Sequence, residues 1–260
     1  DLQERQKAYV QDKLPELAHL VSWIYAVPDD LRGVIVANEV LDSMPVERFV
    51  RRDEGIMQLR VTSNGERFEF VEAPAPDHLV QTVANIEKDL GTTLPDGFMS
   101  EVCLPTGPWI GGMAAALREG VAFLFDYGVS RREFYAPQRS AGWLRCHFRH
   151  HAHDDPLILP GVQDLTAWVD FTSVANVAAA QGMNVVGYTA QAQFLMGGGL
   201  EDEMQGIADL PLEQQVELSQ QVKTLTLPGE MGERFKCLAL SKGSIPVPSA
   251  FRLADRAHTL

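Results

Sequence analysis

Val34-Ile35-Val36-Ala37 carries no polar side chain, and the chain then turns abruptly polar at Asn38-Glu39. A short β-branched run closed by an amide and a carboxylate predicts a buried parallel strand. Val121-Ala122-Phe123-Leu124-Phe125 repeats the design and exits into Asp126-Tyr127-Gly128. Upstream, Leu2, Tyr9, Val10, Leu14 and Leu17 recur at helical spacing, which predicts a helix across residues 2–20 broken at Pro15. Val21 to Tyr25 reads as a short strand and Asp29-Asp30 as a turn.

From Val46 to Ala73 the period shortens to alternating segments separated by Asp53-Glu54-Gly55 and Ser63-Asn64-Gly65, which predicts an antiparallel insertion. Pro74, Pro76, Pro95, Pro105 and Pro108 mark the following stretch as loops. Helical periodicity resumes from Trp109 to Arg118, with Gly120 as the helix end. Residues 130–165 read as irregular and too long for an ordinary connection, hence a functional loop or lid. Beyond them the pattern predicts a helix from Val174 to Ala180, a strand at Val185–Tyr188, a helix from Leu210 to Leu225 and a strand at Phe235–Leu240. Strands alternating with helices define an α/β sheet whose ligands gather at the carboxyl ends of the strands. The last two strands are expected to form an antiparallel edge.

Charge and cysteine content narrow the picture. A formal net charge of −13 opposes a phosphate-tracking surface and argues against nucleic acid as a partner. Cys103, Cys146 and Cys237 are scattered and odd in number, which favours a reducing compartment over a disulfide framework. No run reaches the roughly 18 apolar residues of a membrane span, so membrane insertion is not expected. The chain starts without Met, and a fragment is one expectation from that.

The two polar strand exits are the strongest candidates for chemistry. Asn38, Glu39 and Asp42 at the first exit could cap a following helix, but an amide and two carboxylates released together fit ligand contact better. Asp126-Tyr127-Gly128 gains weight from occupying the equivalent position on the neighbouring strand. The segment from Arg145 to Asp155 contains Cys146, His147, His150, His151 and His153, yet its spacing matches no tetrahedral metal pattern, so no metal is expected and a polar substrate loop is favoured. Gly197-Gly198-Gly199 lacks phosphate-loop context and reads as a turn. Ser130, Ser140 and Ser173 stand in no nucleophile-elbow motif.

A series of blocks resembles the MidA family of S-adenosylmethionine-dependent methyltransferases, relatives of the mitochondrial complex I assembly arginine methyltransferase. The blocks are Leu2-Gln3-Glu4-Arg5-Gln6, Val36 to Val46, Phe125-Asp126-Tyr127-Gly128, Leu144-Arg145 with His150, Pro160-Gly161 with Asp164 to Phe171, Gln193-Phe194-Leu195, and Met231 to Phe235, in family order. The resemblance implies a class I methyltransferase-like, Rossmann-like sheet lacking its first strands, with Val34–Ala37 as the fourth strand and Val121–Phe125 as the fifth. It implies a methyltransferase core of residues 1–45 and 109–260, an inserted segment of residues 46–108, and a long substrate-side loop. The family's glycine-rich cofactor loop and ribose-binding acid are expected before Asp1. S-adenosylmethionine is the implied cofactor, contacted by Asn38, Glu39 and Trp23. Glu39, Asp42 and Asp126 are the implied catalytic residues, and Tyr127, Arg145, His150, Asp164 and Asp170 the substrate-binding ones. The implied partner is a protein substrate, arginine in a respiratory-complex subunit by analogy, in a bacterial cytoplasm or a mitochondrial matrix, with a homo-oligomer left open. The alternatives are a non-catalytic assembly protein on the same fold and a metal-dependent hydrolase using the histidine segment.

Overall fold

The computed structural model describes residues 1–149 and 151–260. Helix α1 (Leu2–Lys13) opens with a capping box in which Asp1 accepts from the Glu4 amide and Glu4 reaches back to the chain start. It buries no residue, and Leu2 and Tyr9 are exposed. Val21 to Tyr25 is irregular rather than a strand. The aromatic tips hold this segment against α1 instead: Trp23 Nε1 donates to Gln6 Oε1 at 3.0 Å and the Tyr25 hydroxyl to Gln3 Oε1 at 3.1 Å.

The next strand, β1 (Leu31–Asn38), leads into β2 (Glu47–Arg52), β3 (Gly55–Ser63) and β4 (Phe68–Pro74). Helix α2 (Asp77–Leu90) follows, then β5 (Met99–Val102), helix α3 (Thr106–Ala116) and the long strand β6 (Leu117–Val129). The short α4 (Arg131–Phe134) precedes β7 (Leu144–Phe148), β8 (His151–His153), β9 (Asp164–Ala167) and β10 (Val169–Asp170). The chain closes with α5 (Phe171–Ala180), β11 (Asn184–Ala190), α6 (Gln191–Gly197), α7 (Leu200–Glu203), α8 (Leu212–Thr226) and β12 (Phe235–Lys242).

The principal sheet has the order β1-β6-β12-β11, with β10 added beside the end of β6. β1 runs parallel to β6, Val34 opposite Val121 and Asn38 opposite Phe125. β12 is antiparallel to both β6 and β11, so the last two strands form the expected antiparallel edge, with β12 the reversed strand and β11 outermost. β1 forms the other edge. It is less buried than its composition predicts: Val34 is 60% and Val36 65% exposed, because one face has no covering layer. On the covered face Ala37 joins Ile110 and Met113 of α3, Phe171 and Val174 of α5, and Leu124 and Leu238 of the sheet.

Gly120 does not end a helix. α3 runs directly into β6, and Gly120 sits within that strand at φ 152° opposite Gly33 at φ 147°. A Cβ on Gly120 would overlap the Gly33 carbonyl, so the close crossing of β1 and β6 requires its absence.

The inserted strands make a separate antiparallel sheet, β4-β3-β2-β5. The stretch expected as proline-marked loops contains α2, which Gly91 stops in the left-handed region at φ 70°. Leu79, Val83 and Ile86 recur on one face and pack on Phe49 and Phe98, a periodicity that the flanking prolines obscured. Residues 130–165 are also more regular than expected, because β7 pairs with both β8 and β9 to give a small antiparallel sheet.

Candidate active site

Parallel pairing brings the ends of β1 and β6 level, so the first polar residues after each strand meet. The Glu39 amide donates to the Phe125 carbonyl at 2.9 Å. Glu39 itself stands at φ 51°, a left-handed conformation that a non-glycine residue adopts only when its surroundings impose it. Asp126 holds the turn that follows. Its Oδ2 accepts from the Leu41 amide at 2.9 Å and the Asp42 amide at 3.2 Å, while Oδ1 accepts from Tyr127 at 2.9 Å. Asp42 is tied in turn through its carbonyl, which accepts from Ala167 of β9 at 3.0 Å.

Among the described residues, neither Asp42 nor Asp126 is paired in a salt bridge with a basic side chain. Burial, followed by the neighbouring charge of Asp42, pushes the Asp126 carboxyl up to about 7. Burial, followed by the charges of Glu39 and Asp164, pushes Asp42 up to about 6. The Tyr127 hydroxyl is also raised, chiefly by burial and then by Glu39 and Asp42. A cation held here would lower the energy of every ionised carboxylate at once.

Asp42 and Tyr127 open into a cavity of about 470 Å³ that Trp143, Trp168, Arg145 and Arg234 help to line. One wall is a ladder of flat groups. The Arg139 guanidinium lies 4.2 Å over Trp143, Trp143 stacks on Trp168 at 4.4 Å, and Trp168 faces Tyr127 at 6.5 Å. The Trp143 indole is fixed by donation to the Phe134 carbonyl at 2.8 Å. Trp143, Trp168, Arg139 and Arg234 carried no individual expectation from sequence, and His147 was expected only as part of the polar histidine segment. Trp168 stood inside a recognised block, but only the tertiary packing aims it at Tyr127.

Other candidates are dispersed. Asn38 and Glu39 are exposed at the rim, joined by a 3.1 Å hydrogen bond between their side chains. Arg145 lines the cavity and pairs with Asp154. Asp164 is exposed on β9, opposite His147 of β7. Asp170 lies apart, beside a different cavity of about 300 Å³. Its oxygens are occupied by the Ser173 amide at 3.1 Å, as the cap of α5, and by Arg131 Nε at 2.9 Å. Trp23 is engaged with α1, where Lys7 lies 5.5 Å from its ring centroid. Asp126 is 1% exposed, which makes it a positioning group with no surface to offer a ligand. His150 lies outside the described residues. Among the described residues no group of three or more His, Cys, Asp or Glu could hold a metal ion, and no helix is long and apolar enough to cross a membrane.

Residues 1–189 match the family model described as "Putative S-adenosyl-L-methionine-dependent methyltransferase". The chain is 28% identical over 224 residues to the zebrafish (Danio rerio) mitochondrial protein arginine methyltransferase NDUFAF7, covering 83% of this chain and 49% of that protein. It is 28% identical over 229 residues to the human protein of the same name, covering 85% and 48% respectively. The chain thus spans about half the length of the curated relatives it matches. A crystal structure of a Burkholderia thailandensis protein bound to S-adenosyl-homocysteine superposes with a TM-score of 0.90 at 34% identity, covering 100% of this chain and 66% of that one. A native crystal structure from the same organism superposes equally, with 68% of its chain covered.

Proposed function

The chain belongs to this family of S-adenosyl-L-methionine-dependent methyltransferases, and from that membership we propose that it forms the acceptor side of a site that methylates a protein side chain, arginine being the acceptor. The carrying observation is the cluster of carboxylates at the ends of β1 and β6, where burial first and neighbouring carboxylate charge second raise both Asp42 and Asp126. Arginine is a permanent cation, and S-adenosylmethionine carries a sulfonium, so both partners of the reaction relieve that cost. The same donor set fits the cofactor: Asn38 and Glu39, exposed at the carboxyl end of a parallel strand, are the residues of this chain that would hold it. When bound, it supplies an electrophilic methyl group.

Methyl transfer is an in-line displacement, so the protein contributes chiefly alignment and desolvation. Asp42 would accept hydrogen bonds from the guanidinium and hold one nitrogen in place. With a pKa near 6, it can also take the proton which that nitrogen loses as its new bond forms. Tyr127 and Trp168 supply an aromatic wall along which a planar cation can lie. Asp126 fixes the loop from which Glu39 and Asp42 project. Residues 46–108 act as an inserted unit on the acceptor side of a core made from residues 1–45 and 109–260, a division supported by the separate sheet that β2 to β5 form. The zebrafish and human relatives are mitochondrial proteins, and a respiratory-complex subunit as target rests on the family resemblance. A reducing compartment suits the free Cys103, Cys146 and Cys237.

The test is Glu39→Gln in the complete native protein, with transfer of labelled methyl from S-adenosylmethionine as the readout. The substitution keeps volume and removes charge at an exposed residue, so the melting temperature should not move while transfer falls by about 100-fold. Turnover at the unsubstituted rate would refute the reading.

A further inference from the structure

The cavity into which Asp42 opens departs from the charge of the chain around it. The whole sequence carries a formal net charge of −13. Yet Asp42 is the one acidic residue among the described lining, set against Arg139, Arg145, Arg234 and His147. Arg145 is committed to Asp154. Neither Arg139 nor Arg234 has an acidic partner among the described residues, and the carboxylate next in sequence to Arg234, Glu233, is held bidentately by Arg256 at 2.9 and 3.2 Å. Arg139 lies flat on Trp143, and stacking of this kind leaves the N–H edge of a guanidinium available while removing the rotamer freedom that binding would otherwise cost.

These cations create a difficulty for an arginine acceptor by itself. A second guanidinium entering beside Arg139 and Arg234 is repelled unless it brings negative charge with it. We propose that Arg139 and Arg234 recognise a carboxylate adjacent to the methyl acceptor, so that the preferred target is an arginine flanked by an acidic residue. The acceptor cation lies along the Trp143–Trp168–Tyr127 wall toward Asp42, and the flanking carboxylate meets the fork of Arg139 and the head of Arg234. Opposite charges at the two ends of the cavity then set the direction in which the target segment enters. The assignment rests on the methyl-transfer reading for the identity of the acceptor. The same chemistry could be supplied by the carboxylate of the cofactor's amino-acid end, and the experiment separates the two sources.

The probes are short fluorescein-labelled peptides with a central arginine flanked by Asp or by Asn, titrated by anisotropy against the complete native protein at low salt. The Asp peptide should bind about tenfold more tightly than the Asn peptide, with the preference shrinking as salt rises. Arg139→Gln combined with Arg234→Gln should abolish the preference, and the paired lysine substitutions should keep part of it, while calorimetric affinity for S-adenosylhomocysteine stays unchanged in both. Both residues are exposed, and circular dichroism checks that the variants are folded. Equal affinity of the two peptides for the unsubstituted protein would overturn the proposal, as would a preference that survives the double substitution. A drop in S-adenosylhomocysteine affinity with unaltered peptide preference would assign the pair to the cofactor and overturn it too. Acidic preference in binding with no methyl transfer to any peptide would support this recognition and count only against the methyl-transfer reading.

Discussion

Replacing Asp126 by Asn tests the rim most directly, because the effect should change sign with pH. The Asp126 carboxyl is buried and raised from 3.8 to about 7. An acid whose pKa is higher in the folded than in the unfolded chain binds more protons when folded throughout the interval between the two values. Stability therefore declines as pH rises from about 4 to about 7. At 1.36 kcal/mol per unit, ionised Asp126 costs the fold up to about 4 kcal/mol above pH 7. Asn keeps the volume and cannot ionise, so the variant escapes that cost. It loses hydrogen bonding instead, because its single carbonyl cannot serve Leu41 and Asp42 on one side and Tyr127 on the other, and the amide nitrogen then opposes an N–H. That mismatch costs about 1–3 kcal/mol at any pH. Urea unfolding should find Asp126→Asn less stable than the unsubstituted protein at pH 4, and equal to it or more stable at pH 8. A destabilisation that is the same at both values would refute the burial argument. Methyl transfer should fall at both, because the loop bearing Glu39 and Asp42 loses an anchor.

Other substitutions probe single contacts. Glu39→Gly should stabilise the fold by about 1 kcal/mol by relieving its left-handed backbone while removing methyl transfer; chemical denaturation and the transfer assay read the two effects separately. Gly142→Ala should destabilise by at least about 2 kcal/mol, seen as a lowered melting temperature, because Gly142 stands at φ 80° and an added Cβ would lie 2.7 Å from Cδ of the buried Glu101. Arg131→Met should cost about 3–5 kcal/mol at neutral pH, since Asp170 would be left buried without its partner, and the loss should shrink in acid as Asp170 protonates.

The positions of the main strands were legible because their cause is local. The β-branched and aromatic side chains in Val34–Ala37 and Val121–Phe125 favour extended backbone, and each run ends where its side chains turn polar. The three candidate carboxylates were legible for the same reason. Less so was α2, whose apolar face at Leu79, Val83 and Ile86 is clear only once the prolines around it are seen to bound a helix rather than forbid one. Gly120 illustrates the opposite limit. A glycine after a helical segment reads as a cap, and its close approach to Gly33 involves a residue far away in the chain.

Sequence alone determined that this protein builds an α/β sheet with two acidic strand exits, since hydrophobic period and residue chemistry are properties of short segments. Tertiary structure decided what each exit does. Parallel register set Asp126 beneath the Leu41-Asp42 turn, where burial made it a clamp rather than a ligand group. Packing also stacked Trp143, Trp168 and Tyr127 into one wall and removed Trp23 and Asp170 from it. Distances between residues far apart in the chain depend on how whole elements dock, and no local pattern encodes that docking.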